Sequence, residues 1–257
     1  MVRRVAQGVA PVAIFFVIII VGWSVAVIVF DLPTYMLPSP ARIMREMSEN
    51  LPVFTRNGAV TLLEAIGGYI LGGTIGILLG TLLSLSKFLE RGFLPYIIGA
   101  TTVPIVAFAP LVVVYVGMGI ESKIIVAAIV CFFPLCLNTL KGLLSTDLTQ
   151  RDLFYSLAAS RWQVFSKLML PTSLPYITTA MKQTSTRAVI AAIIAEYIQA
   201  NQGFGFLILQ SSYVMDIPRM WAAVIFSSLV AMAFYIVVLF VEQRLTGWHV
   251  SMIEQRR

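Results

Sequence analysis

The chain has 257 residues, 59% of them hydrophobic and only 12% charged, with a formal net charge of +6 and a mean hydropathy of +0.90. A soluble domain needs about a quarter of its residues charged to cover its surface, so the composition excludes a water-soluble fold and predicts an all-α polytopic membrane protein. The positive charge then reads as the bias of cytosolic loops rather than as a nucleic-acid footprint, and no nucleic-acid partner is expected.

Arg3 and Arg4 precede an apolar run from about Val9 to Phe30. A cleaved signal peptide begins in the same way, but its apolar core is only ~7–15 residues long, whereas about 20 apolar residues cross the hydrocarbon. An uncleaved first span is expected, with a cleaved signal as the alternative. Pro33, Pro38 and Pro40 then forbid a continuous helix over Asp31–Pro40, and Ser39 with Pro40 forms a plausible N-cap and first turn for a polar helix over Ala41–Asn50.

The second span is expected from about Gly58 to Leu85. Gly68, Gly72, Gly76 and Gly80 recur at four-residue steps, making one narrow rail that lets another backbone approach closely, as helices in lipid require. Glu64, near the start of this span, is either at the outer interface, the favoured reading, or an intramembrane carboxylate with a partner.

An apolar tract from Phe93 to Leu140 is interrupted by Glu121 and Lys123 beside Gly117 and Gly119, which predicts a tight hairpin between two spans. The first contains Pro95, Pro104 and Pro110 near Thr101 and Thr102. Irregular backbone at membrane depth is tolerated only against protein or a water-filled cavity, so this kinked span is a candidate to line a translocation path. Pro134 and Asn138 mark the second. For any one proline, a simple packing kink is an equal alternative.

Asp152–Pro171 is a polar island. Its first half reads as a short amphipathic helix in which Leu153, Leu157 and Phe165 share an apolar side and Arg151, Asp152, Arg161 and Lys167 face water. Pro171 is expected to close it and Pro175 to open a fifth span, about Leu174–Tyr197. That span carries Lys182, near enough to its end to snorkel, and Arg187 nearer the middle; such groups face a bundle interior or cavity. Glu196–Arg219 is an outer-side connection whose apolar middle, Gly203–Leu209, suggests a half-inserted gate helix. A sixth span runs over about Trp221–Val241.

With six spans and the N-terminus inside, Arg3, Arg4, Lys87, Arg91, Lys141, Arg151, Arg161, Lys167, Arg244, Arg256 and Arg257 fall in the cytosol. Only Arg42, Arg45, Arg56, Lys123 and Arg219 fall outside, which supports both termini inside. Cys131 and Cys136 lie on different faces of one apolar run and do not suggest a disulfide or metal pair. His249 stands alone. The chain has no G-x-x-x-x-G-K-[ST] phosphate loop, no H-E-x-x-H, no G-x-S-x-G and no paired carboxylates with a plausible base. It is therefore expected to be no enzyme and to hold no cofactor.

The polar island also resembles the cytoplasmic EAA loop of the permease subunits of ATP-binding-cassette (ABC) importers. Asp152-Leu153-Phe154, Ala158 and Leu168-Met169-Leu170-Pro171 keep that motif's spacing, although Ala158 stands where the motif has glycine and Leu153 and Phe154 where it has small residues. Ala159-Ser160-Arg161-Trp162-Gln163 is similar to the subgroup importing sulfonates, taurine, nitrate and thiamine precursors. So are the Leu37–Pro40 opening, Ala195-Glu196, Gly203-x-Gly205, Gln210, Asp216–Arg219 and Trp248-His249, and Lys182 falls where these permeases place a basic residue. The resemblance implies a single permease domain over 1–257 with the type I ABC importer fold and about six spans, in the inner membrane. It implies a coupling helix at about 150–166, whose Asp152, Leu153, Ser156, Leu157, Ala158, Ala159, Ser160, Arg161 and Trp162 meet a separate ATPase dimer that carries ATP and Mg. It further implies an extracytoplasmic solute-binding protein and a second permease copy, giving alternating access.

Thr101, Thr102, Pro104, Pro110, Asn138, Lys182, Arg187 and Glu196 are the candidates to line the path. Thr61-Leu62-Leu63-Glu64-Ala65 and Asp152-Leu153-Phe154-x-Ser156 resemble the branch importing thiamine-precursor pyrimidines, which sets the expected solute; sulfonate, taurine or nitrate is the alternative. A secondary transporter would show charged pairs at the midplane, and Arg187 has no evident acid partner in the sequence. An integral-membrane enzyme is the remaining alternative.

Overall fold

The computed structural model describes residues 2–245, with side chains from residue 11 onward. Trp248, His249, Arg256 and Arg257 lie outside the described residues. The described chain is helical: α1 (Val2–Val29), α2 (Pro40–Glu49), α3 (Leu51–Ser84), α4 (Lys87–Thr101), α5 (Ile105–Val116), α6 (Ile120–Leu144), α7 (Leu148–Ser156), α8 (Arg161–Val164), a π segment (Phe165–Met169), α9 (Leu170–Ile198), α10 (Phe204–Tyr213) and α11 (Ile217–Leu245). Pro11–Val29 of α1, together with α3, α6 and α11, are long and apolar enough to cross a membrane. The expected third span is instead two helices, α4 and α5, bent by 100°. The fifth, α9, is long enough, but its charges and hydroxyls make it less apolar than the others.

Chain-local chemistry places several of these elements. The Ser39 side chain accepts from Arg42 N and Pro40 takes the first turn of α2, as its sequence predicts. Asn50 and Pro52 let α3 start at once, seven residues before the expected Gly58. Gly117, at φ 103°, ends α5 in a conformation that side chains resist, and α6 begins three residues later.

The bundle is organised on α3 and α6. The glycine rail faces the α6 backbone: a Cβ at Gly68 would stand 2.7 Å from Ile124 O, at Gly76 2.6 Å from Phe132 O and at Gly80 2.5 Å from Cys136 O, while one at Gly72 would collide with Ala128 O. Glycines at four-residue steps on one helix thus meet carbonyls at four-residue steps on the other. Such an approach supplies the dispersion and Cα–H···O interactions that hold helices together in lipid. Around this pair, Ala65, Cys131, Leu135, Ala188, Ala192 and Phe234 join α3, α6, α9 and α11 in one core. At one end, Phe54, Phe204, Leu207, Ala222 and Ile43 pack α2, α10 and α11 against α3. At the opposite end, Leu143, Val164 and Met169 seat the polar island on α6.

Candidate functional site

The polar island departs from its expected form in two ways. Its helix α7 begins at Leu148, where Asp147 accepts from Thr149 N at 2.9 Å, and ends at Ser156. A turn through Leu157–Ala159 follows, with Ala158 in the left-handed region at φ 55°. Ser160 then starts a second helix through a capping box with Gln163. The single coupling helix expected at about 150–166 is therefore two short helices joined by a tight turn.

Nor does Pro171 close the island. Leu170 N bonds back to Phe165 O across a π turn, and that widened turn admits the proline so that the helix runs on into α9. From Arg161 onward the second half of the island and the fifth span are one rod. Arg151 Nη2 donates to Leu143 O at 2.9 Å and ties α7 to the end of α6. Phe165 turns inward to Val164 and Met169 rather than sharing a side with Leu153 and Leu157. What remains outside is an apolar patch, with Leu148, Leu153, Tyr155, Leu157 and Trp162 each more than half exposed. Asp152, Ser156, Ala158, Ser160 and Arg161 are exposed around it and Ala159 is half-buried. A cluster of this kind on a protein surface fits contact with another protein or with the membrane.

The path candidates divide into groups. At the break between α4 and α5, Thr101 Oγ1 donates to Ile98 O at 2.6 Å and Thr102 Oγ1 to Gly99 O at 2.7 Å, adding to the turn bond from Thr102 N to Gly99 O. Pro104 starts α5, and Pro104 and Pro110 are both exposed. Thr101 and Arg187 come together on a cavity of about 370 Å³ whose walls include Phe108, Ile129 and Phe133. Asn138 is occupied locally, donating to Pro134 O at 2.8 Å. Lys182 forms an ion pair with Glu242 of α11 at 2.8 Å, a partner that sequence reasoning did not supply.

Glu196 belongs to a different place, a closed polar cluster at the α10 end of the bundle. Its Oε1 accepts from Thr61 Oγ1 at 2.6 Å and its Oε2 from Gly205 N at 2.5 Å. Thr61 Oγ1 in turn accepts from Phe204 N at 2.9 Å, and Asn57 Oδ1 from Gly203 N at 2.7 Å. Three side chains from α3 and α9 thus satisfy the free N–H groups that open α10. Gly203 holds φ 104°, and a Cβ there would fall on the Glu196 carboxylate. Glu64, favoured for the interface, is 3% exposed and lies within the electrostatic reach of Glu196 and Lys123. It is therefore enclosed by protein rather than exposed. Lys123 is buried and donates to Met118 O at 2.6 Å and Gly119 O at 3.1 Å, at the start of α6. In the sequence Glu196, Gly203 and Gly205 stand only as a family resemblance and Thr61 only in a branch resemblance, and nothing brings them together with Asn57.

Residues 72–247 match the family described as "Binding-protein-dependent transport system inner membrane component". The chain is 32% identical over 249 residues to the formylaminopyrimidine transport permease protein ThiX of Halalkalibacterium halodurans, covering 96% of this chain and 98% of that protein. It is 27% identical over 258 residues to the taurine transport system permease protein TauC of Escherichia coli, covering 96% and 91%. In three dimensions it is similar to a chain of the MetNI methionine ABC transporter in an inward-facing conformation, with a TM-score of 0.67 at 18% identity over 76% of this chain and 97% of that one. That likeness is one of fold, the type I ABC importer permease.

Proposed function

The chain belongs to the binding-protein-dependent transport system inner membrane component family, and from that premise we propose how this ABC importer permease subunit couples, what it carries and how it pairs. As such a subunit it is an integral inner-membrane protein, not an enzyme, and it works with an ATPase and a solute-binding protein. The island from Leu148 to Val164 is the coupling element. It docks its exposed patch of Leu153, Tyr155, Leu157 and Trp162 in the ATPase, and ATP and Mg are held there rather than by this chain. That patch, whose Trp162 lies on the helix that runs through the π turn into α9, is the observation that carries the assignment: displacement of that helix moves a rod reaching to Glu196.

Both termini are cytoplasmic, by the distribution of Lys and Arg. Two copies of the chain form the pore, because a closed two-fold pair is the commonest homo-oligomer and two identical coupling elements match the two halves of an ATPase dimer. The solute is a thiamine-precursor pyrimidine or similar heterocycle. The motifs around Glu64 and Asp152 support this, as does the higher identity to ThiX than to TauC; a sulfonate is the second reading.

In cells carrying the complete importer, Asp152→Lys and Ala158→Trp should each abolish uptake while the permease still inserts. Wild-type uptake with both changes would refute the coupling role. Calorimetric binding of a formylaminopyrimidine and of taurine to the cognate solute-binding protein decides between the two solutes.

A further inference from the structure

The helix α10 spends one face on the bundle and leaves the other free. Phe204, Leu207, Ile208 and Ser211 turn inward and are buried. Phe206, Leu209, Gln210 and Tyr213 recur at the three- and four-residue steps that share a helix face. With Tyr197 and Gln199 from the end of α9 they line a cleft of about 280 Å³. Its two walls are fixed relative to one another, because Glu196 of α9 accepts from Gly205 N of α10 and Gly203, at φ 104°, sets the corner between them. The cleft is thus formed before any ligand arrives, as small-molecule sites usually are. It lies at the end of the bundle away from the coupling island.

The lining offers rings and amides rather than charge. The Gln199 and Gln210 side chains have no hydrogen-bond partner among the described residues, and each amide presents a donor and an acceptor side by side. Glu196 reaches the lining, but its carboxylate is engaged by Thr61 and Gly205, and a negative group there disfavours an anion. Small-molecule pockets begin at about 300 Å³, so the space suits a single ring with short substituents.

Resting on the heterocycle reading above, we propose that this cleft is the subsite where the permease first receives its solute. The ring of a formylaminopyrimidine lies against Phe206 and Tyr213, and the Gln199 and Gln210 amides pair with its polar edges. A glutamine amide meets an N–H beside an acceptor bidentately, as it does on adenine, and flat heterocycles stack on aromatic side chains. The formylamino group carries both N–H and C=O, and the ring nitrogens accept. Sulfonate oxygens only accept, so the anionic end of taurine leaves the amide carbonyls unpaired and meets Glu196. The permease then reads the solute a second time, after the solute-binding protein.

The test takes the purified permease–ATPase complex in lipid nanodiscs, without the solute-binding protein, and follows radiolabelled formylaminopyrimidine by equilibrium dialysis. Gln199, Gln210 and Tyr213 are exposed, so substitutions there should keep the wild-type thermal midpoint. Gln199→Leu and Gln210→Leu should each weaken binding about tenfold, as for the loss of one bidentate pair. Tyr213→Ala should weaken it about fivefold or more, whereas Tyr213→Phe keeps the ring and the affinity. Excess taurine should not displace the label. Wild-type affinity in both glutamine variants, or displacement by taurine, would overturn the site. So would a wild-type complex that binds no pyrimidine when the cognate solute-binding protein takes it up in calorimetry. A solute-binding protein that takes taurine and not the pyrimidine would overturn the heterocycle reading itself, and the proposal with it.

Discussion

Replacing Gly76 by alanine adds one methyl group where α3 and α6 touch. The new Cβ would stand 2.6 Å from Phe132 O, 3.2 Å from Cys136 N and 3.3 Å from Leu135 Cβ. Ordinary carbon separations are about 3.5–4.0 Å, so the helices must part locally by nearly 1 Å. The obstacle is backbone, which no rotamer change can move aside. Overpacking of this kind costs about 1–3 kcal/mol, and each Cα–H···O interaction broken along the rail adds about 0.5–1 kcal/mol. Against this, alanine improves helix propensity by about 1 kcal/mol. The balance is a destabilisation of about 1–3 kcal/mol. Gly22 of α1 undergoes the same chemical change with nothing within 4 Å of its Cβ, so Gly22→Ala should be neutral or stabilising by up to about 1 kcal/mol. The assay follows from the same interface. Cys131 and Cys136 are both buried on α6, so a thiol-reactive dye reports its opening during a thermal ramp in detergent. The midpoint should fall by several degrees for Gly76→Ala and hold or rise for Gly22→Ala. Equal shifts for the two variants would mean that the rail does not hold α3 against α6.

Three further outcomes follow from the geometry. Ala158 sits at φ 55°, where a side chain costs about 1 kcal/mol relative to glycine, so Ala158→Gly should raise the thermal midpoint slightly and keep uptake; a lower midpoint would refute the turn. Lys182→Met removes one partner of the buried Glu242 and should lower the thermal midpoint, and the exchange Lys182→Glu with Glu242→Lys should recover part of that loss; no recovery would mean that the pair is not coupled. Thr61→Val removes the acceptor of Phe204 N and the donor to Glu196, a loss of about 2–4 kcal/mol at two buried groups. Hydrogen exchange at 203–205 should quicken in Thr61→Val and stay slow in Thr61→Ser; unchanged exchange in both would place the hold on α10 elsewhere.

Local chemistry made much of this molecule legible from its residues. The membrane class follows from hydropathy, which each segment carries in itself. The α2 cap at Ser39–Pro40, the hairpin at Gly117–Gly119 and the packing role of the glycine rail are also local, because each depends on neighbours within a turn or two. The family likeness is legible for the same reason: its motifs are spacings along the chain.

Only the tertiary structure decided what those elements meet. The expected kinked span breaks by 100° at Thr102–Pro104, because once Pro104 removes a donor the outcome depends on which neighbours receive the two halves. Pro171 fails to end a helix because a π turn, seated on Leu143, makes room for it. Lys182 and Glu242 lie on different helices, and so do Glu64 and Glu196, so no local window could pair them. In a bilayer most helix faces are apolar, and the hydrophobic pattern does not say which face turns inward or which partner it finds. Close approach of backbones and the few buried charges make that choice, and both are properties of the packed bundle.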